Sequence, residues 1–291
     1  MNFYSKKVIL LFLLPSFIGI VVFKIVSMLV AVGISFTDWN LLGAPDFVGL
    51  SNYKRILHDQ NIHLALKNTF YFIIGYIPFV IAIGLGLACL LNRALKGVFV
   101  FRGIFFLSVI ASWVAVSVIF KGLFNTELGL INQIFNFFGL AGPGWLQDPN
   151  FTMKAIVTAS VWKDAGFIAV IFLGGLQSIS KDVYEAAKLD GIKSSQQFRY
   201  ITLPLLSPTL FYALMISVIS SFQVFDQVNI MTANEPSAQL LPVMVTEIYK
   251  HSFRYMDMGY ATALSFMLFV IILFVTFVMN KLQAKWVTYE S

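Results

Sequence analysis

The sequence predicts an all-α polytopic membrane protein of about six transmembrane helices, with one long polar loop on its cytoplasmic side. Three observations carry that expectation. Of the 291 residues, 58% are hydrophobic, 12% are charged and 30 are Phe, a composition outside the range of ordinary soluble domains. About six stretches reach the roughly 20 apolar residues that a helix needs to cross a bilayer. Lys and Arg crowd the loops on one side of the layout those stretches define, as cytoplasmic loops do.

The first stretch, 8–34, follows Lys6 and Lys7 and contains Lys24 near its outer third, from which a long side chain can reach the interface. It starts like a signal peptide, but the run is too long and has no small-x-small cleavage site, so it is expected to remain as a span. Residues 38–68 are polar and Gly/Pro-marked, with an amphipathic stretch around Tyr53, Ile56 and Leu57 suited to the outer surface. The second stretch, 69–91, leads through Arg93, Lys96 and Arg102 to the third, 101–124. Gly129, Gly139, Gly142, Pro143 and Gly144 surround the apolar run 131–140, which predicts a short interfacial helix and a turn.

The fourth stretch, 155–177, holds Lys163 and Asp164 near its middle beside Trp162. Charges at that depth must be paired or face water, and sequence neighbours point about 100° apart on a helix, so partners are expected on other helices. The fifth stretch is 207–230 and the sixth 259–279, separated by a segment with Pro236, Pro242 and the cluster Tyr249 to Tyr255. Lys281 and Lys285 follow the last. An even number of spans puts both termini and the connection 179–204, with Lys181, Lys188, Lys193 and Arg199, on the cytoplasmic side. The opposite loops are poorer in cations for their length, mainly Lys54, Arg55, Lys67, Lys154, Lys250 and Arg254. The net charge of +6 therefore reads as topology rather than as nucleic-acid binding.

The connection 179–204 has the chemistry of a docking loop. Tyr184 to Leu189 favours a helix, and Ala186 and Ala187 leave a flat surface that a partner can approach closely. Gly191 permits a turn after Asp190, Ser194 or Ser195 is a cap for a second short helix through Gln196, Gln197 and Phe198, and Pro204 suits the first turn of the next helix. Two short helices set at an angle at the membrane face are expected.

The order Glu185-Ala186-Ala187, three residues, Gly191, nine residues, Ile201, one residue, Leu203-Pro204 resembles the signature of the permease subunits of binding-protein-dependent ABC importers. Further likeness runs through Ser35-Phe36-Thr37-Asp38-Trp39, Phe47-Val48-Gly49-Leu50-Ser51-Asn52-Tyr53, Asn68-Thr69, Trp162-Lys163 and Leu176-Gln177, and is similar to the MalF-like half of the carbohydrate-uptake branch. One departure is Asn234-Glu235-Pro236, where relatives show Gly-Gly-Pro, so a different outer turn is expected. The resemblance implies a single transmembrane domain over 1–291, a MalG-like second permease, a pair of ATPase subunits and an external solute-binding protein. It implies a bacterial cytoplasmic membrane location and a coupling role for Glu185, Ala186, Ala187, Gly191, Ile201, Leu203 and Pro204, with Phe198, Ile201 and Leu203 tying the loop to its own bundle. Cofactors are expected only on the partners, as ATP and Mg²⁺.

Residues that could do chemistry alone are sparse. The sequence has no Gly-x-x-x-x-Gly-Lys-Ser/Thr phosphate loop, and His58, His63 and His251 have no tight metal-ligand spacing. The lone Cys89 excludes an internal disulfide. In the fifth stretch, Ser220, Gln223 and Gln227 fall at i, i+3 and i+7 on one face of a continuous helix with Asp226 beside them, about 24 Å along from Ser207 for Gln223. Amides and hydroxyls there suit a sugar, and Phe222 and Phe225 are placed to stack on one; interhelical hydrogen bonding is the equal alternative. A sugar or oligosaccharide is the expected cargo, with glycerol phosphate or another small solute as alternative cargo and an ion-coupled transporter as the alternative class. Spans five and six offer no cation for a phosphate.

Overall fold

The computed structural model describes residues 6–93 and 97–288; Lys96 lies outside them. Helix α1 (Lys6–Ile20) continues through a π-helical turn, Val21–Val26, into α2 (Ser27–Ile34). A two-residue pair, β1 (Thr37–Asp38) and β2 (Asp46–Phe47), runs antiparallel, and α3 (Ser51–His58) follows. Then come α4 (Gln60–Leu91), α5 (Val98–Ile110), α6 (Trp113–Leu123), α7 (Leu130–Phe137) and α8 (Pro149–Ser178). The loop contains α9 (Lys181–Leu189), α10 (Ser194–Gln197), a π-helical turn at Phe198–Thr202 and α11 (Leu203–Leu205). Last are α12 (Ser207–Phe222), α13 (Asp226–Met231), a 3₁₀ turn at Pro236–Gln239, α14 (Met244–Phe253) and α15 (Met258–Gln283).

Four helices are long and apolar enough to cross a membrane unaided: Leu10–Ile34, Gln60–Leu91, Pro149–Ser178 and Met258–Gln283. Two bent helix pairs raise the number to six if each is counted as one span: the first breaks the predicted third span, and the second joins the end of the loop to the start of the predicted fifth. The pair Val100–Ile110 and Trp113–Leu123 bends by 100°. Ala111 and Ser112 turn extended there, and the Ser112 hydroxyl accepts from the Ala115 N–H at 3.2 Å, starting α6 as a capped helix. The pair Ser194–Leu205 and Ser207–Phe222 bends by 66°, where Pro204 and Pro208 bracket the junction and the Ser207 hydroxyl donates to the Pro204 carbonyl at 2.6 Å. The fifth span also stops at Phe222 rather than running to 230, and the chain restarts at α13 with the Asp226 carboxylate in its first turn.

Two helices begin before the predicted spans, α4 at Gln60 and α8 at Pro149, and polar residues near their starts have partners. In α4, the Asn68 amide donates to the Pro242 carbonyl at 2.9 Å, and the Thr69 hydroxyl donates to Ala65 O at 2.8 Å while accepting from Met244 N–H at 3.1 Å. In α8, Asp148 caps the first turn by accepting from Asn150 N–H at 2.9 Å, with Pro149 opening the helix.

The chain divides into two compact units. The first comprises Met1–Ile62 and Glu247–Val270. No side chain in its span 10–34 is fully buried within the chain, so that helix offers most of its apolar surface to lipid or to another protein. On α3, Ile56 is buried and Leu57 is exposed, while the Asn52 amide donates to Ser35 O and Thr37 O, both at 2.9 Å. A charged cluster closes this unit: Arg55 pairs with Asp257 at 2.8 Å and lies 4.0 Å over the Tyr260 ring, and Tyr260 donates to Asp59 at 2.9 Å. Burial pushes the Asp257 carboxyl upward, but His251, Arg55 and the Tyr260 N–H outweigh it and hold the group below its ordinary value. The His251 Nδ1 stands 3.7 Å from that carboxylate, beyond hydrogen-bond distance.

The second unit comprises His63–Thr246 and Ile271–Ser291 and is centred on α8, whose buried face is built of Ala, Gly and Ser as well as larger residues. A side chain at Gly166 would meet the Phe105 carbonyl oxygen at 2.6 Å, so α5 crosses α8 at backbone distance. At Asn234-Glu235-Pro236, Asn234 itself takes the left-handed conformation (φ 64°), one that Asn tolerates better than most residues. Lys121 fastens this turn through the Ala233 carbonyl and Glu235, the latter at 3.8 Å.

Two outcomes are expected for the purified protein in detergent. Gly166→Leu overpacks the α5–α8 crossing and lowers stability by roughly 1–3 kcal/mol, read as a fall in thermal midpoint. Because the folded Asp257 carboxyl lies below its ordinary value of 3.8, its stabilisation is complete above that value and is lost as pH falls through the lower folded one. Asp257→Asn should therefore flatten the acid limb of a midpoint-against-pH curve.

Candidate functional site

The loop between α8 and α12 is built from caps. Ser180 accepts from Asp182 N–H at 3.2 Å to open α9, with Asp182 in the first turn and Lys188 in the last, as the helix dipole favours. At its other end Gly191 has φ 73°; its N–H bonds to Lys188 O and the Ile192 N–H to Ala187 O, both at 3.1 Å, which is a Schellman closure. Tyr184 Oη and Thr202 Oγ1 lie 3.3 Å apart, tying α9 to the π-helical turn.

The two alanines are not equivalent. Ala187 is 4% exposed and packs into its own unit, whereas Ala186 is exposed beside Glu185, because a step of one residue turns the helix face by about 100°. Leu189 is 90% exposed at i+4 from Glu185 and completes the outward face, a residue sequence reasoning passed over although an apolar side chain in so polar a loop was a usable signal. The second short helix is not capped by Ser194 or Ser195: Lys193 occupies the cap position, and the Gln196 side chain accepts from the Lys193 N–H at 3.2 Å. Ile201, Leu203 and Pro204 are half-buried, while Phe198 remains partly exposed and lines an open cleft of about 810 Å³ with Tyr184, Asn92 and Arg93.

A second set of residues meets inside the helices. The carboxylate of Asp164 accepts from the Tyr76 hydroxyl at 2.8 Å, and Lys163 Nζ lies 3.9 Å from the other carboxylate oxygen and 4.7 Å over the Trp113 ring. The two neighbouring charges thus approach each other as well as partners on α4 and α6. A cavity of about 110 Å³ beside them is lined by Ser220, Gln223, Phe225, Asp226 and Gln227.

These residues do not share a face of one helix. Gln223 follows the end of α12, and Asp226 and Gln227 belong to α13. The break between the two helices, rather than helical period, brings them together. Gln227 is 7% exposed and donates to the Ser160 hydroxyl at 3.4 Å, which is the interhelical bonding weighed as an alternative. Phe222 is buried edge-on against Phe70, with ring centres 5.6 Å apart, and does not line the cavity. Tyr76 and Trp113 carry no polarity signal in a chain that is 16% aromatic, and sequence reasoning missed both. Among the described residues no group of three or more His, Cys, Asp or Glu could hold a metal ion.

Residues 7–288 match the family described as binding-protein-dependent transport system inner membrane component. The probable ABC transporter permease protein YesP of Bacillus subtilis is 33% identical over 96% of this chain and 91% of its own length. The trehalose/maltose transport system permease protein MalF of Thermococcus litoralis is 32% identical over 97% of this chain and 95% of its own. In fold, the chain is similar to one from the crystal structure of a bacterial ABC transporter involved in the import of the acidic polysaccharide alginate, with TM-score 0.85 and 22% identity over 96% of each chain.

Gly191→Val should cost about 1–2 kcal/mol at the α9 terminus, because the left-handed conformation penalises a β-carbon. The expected reading is faster amide exchange confined to 186–192, with the global unfolding midpoint unchanged.

Proposed function

The chain belongs to the family of binding-protein-dependent transport system inner membrane components, and on that premise we propose that it forms, with a second MalG-like permease, the path by which a sugar or oligosaccharide crosses the cytoplasmic membrane. As a permease subunit it is not itself an enzyme; ATP hydrolysis, with its Mg²⁺, falls to a pair of ATPase subunits, and an external solute-binding protein delivers the cargo. Both termini and the loop 179–204 lie on the cytoplasmic side in this reading, in keeping with the excess of Lys and Arg there.

The observation that carries the proposal is the outward face of α9. Glu185, Ala186 and Leu189 present one carboxylate, one flat spot and one exposed apolar side chain, held by a capped helix that ends at Gly191. That face fits a cleft with a basic or polar partner for Glu185 and an apolar seat for Leu189. Closure of the ATPases on ATP binding pulls on such a contact and shifts the permease between inward- and outward-facing states.

A sugar cargo is supported by the relative named for trehalose and maltose and by the cavity chemistry. Hydroxyls, amides and carboxylates line it, and Phe225 offers a ring. Lys163 is a cation near the path, but Asp164 at 3.9 Å balances it, which suits a neutral solute better than a phosphate ester.

The test is to purify the chain from its native membrane and assay sugar-stimulated ATP hydrolysis. An ATPase and a second permease are expected to copurify, and the sugars that stimulate hydrolysis name the cargo. Gly191→Pro cannot adopt φ 73°; it should leave the chain in the membrane and abolish stimulation. Normal assembly and uptake in that variant would count against the coupling role.

A further inference from the structure

Two cavities of the second unit share one wall. The smaller, of about 110 Å³, extends from it toward Gln223, Phe225 and Asp226. The larger, of about 250 Å³, extends toward Lys163, Phe167 and Ser217. Tyr76, Trp113, Asp164 and Ser220 line both, one residue each from α4, α6, α8 and α12. Along α12 the order is Ser217, Ser220 and then Gln223 beyond its end, so the larger cavity lies toward the coupling loop and the smaller toward the far end of the helix.

The wall is fastened by a hydrogen bond from Tyr76 Oη to Asp164 Oδ2 at 2.8 Å, with Lys163 3.9 Å from the other carboxylate oxygen. A sugar hydroxyl is chemically equivalent to the Tyr76 hydroxyl as a donor to that carboxylate, so one can replace the other with little net change. Past the wall, Ser217 Oγ is buried, lines the larger cavity and has no hydrogen-bond partner among the described residues. A buried hydroxyl left in that state is costly, and a polyol passing the wall would satisfy it.

We propose that the Tyr76–Asp164 hydrogen bond is a substrate-operated latch between two successive chambers, an inference that rests on reading these cavities as the solute path. While the bond is made, the chambers are separate. A polyol hydroxyl arriving beside Gln223 replaces Tyr76 as the donor to the Asp164 carboxylate, frees Tyr76, and opens the way to Ser217. Trp113, under Lys163, holds the ammonium aside during the exchange.

The experiment is thiol accessibility in the assembled complex, reconstituted in vesicles, with Cys89→Ala as background and Ser217→Cys as reporter. A membrane-impermeant maleimide is added on the side from which the Gln223→Cys control is labelled. With the latch intact, Ser217→Cys reacts slowly. Tyr76→Phe, which keeps the ring and loses only the hydroxyl, should raise its rate about tenfold, the factor that one hydrogen bond of ordinary net strength supplies. Asp164→Ala should do the same, whereas Asp164→Asn still accepts from Tyr76 and should stay near the slow rate. An unchanged rate in Tyr76→Phe, or an Asp164→Asn protein as open as Asp164→Ala, overturns the latch. The readout needs neither ATP nor a known cargo. A failure of sugar-stimulated ATP hydrolysis would sink the importer reading while leaving these rates interpretable, and the latch can fail with transport intact.

Discussion

Hydrocarbon offers no hydrogen bonds, so a polar side chain or a break in a membrane helix is costly unless it finds a partner inside the protein. The rest of the second unit follows from how this chain meets that constraint. Asn68 and Thr69 stay in α4 because Pro242, Ala65 and Met244 supply their partners. Ser112 caps the break before α6, and Ser207 bonds across the break before α12. Asp164 stays inside α8 because Tyr76 donates to it and Lys163 is near.

The breaks then create the site. A continuous fifth span would have spread Ser220, Gln223 and Gln227 along some 10 Å of one helix face. The end of α12 at Phe222 and the restart at Asp226 gather them instead around a small cavity, with Tyr76, Trp113 and Asp164 opposite. Trp113 reaches that cavity because it is the first residue after the bend at Ala111 and Ser112. Polar residues are useful here because the cavity gives them something to face, and the cavity exists because the helices are interrupted.

What the sequence made legible follows the same physics. Hydropathy reads the free energy of placing a stretch in lipid, and its six stretches overlap four long apolar helices and two bent helix pairs. Hydropathy does not read backbone direction, so the bend at Ala111 and Ser112, with neither Gly nor Pro to mark it, was invisible. The junction at Leu206 had such marks in Pro204 and Pro208. Mid-span polarity singled out Ser220 to Gln227 and Asp164, but Tyr76 and Trp113 were lost among the aromatics. In the loop, spacing located α9 and its Gly191 stop, while the inward turn of Ala187 and the outward turn of Leu189 needed coordinates.

The central claim is that the outward face of α9 docks on an ATPase. Single cysteines placed at Ala186 and at Ala187 in a Cys89→Ala background, treated with a short bifunctional thiol cross-linker in the native membrane, test it most directly. The account predicts a cross-linked product with the ATPase subunit from position 186 and little from position 187, whose side chain is buried within the chain. Equal products from both positions, or none from 186 while the complex stays assembled, would contradict it.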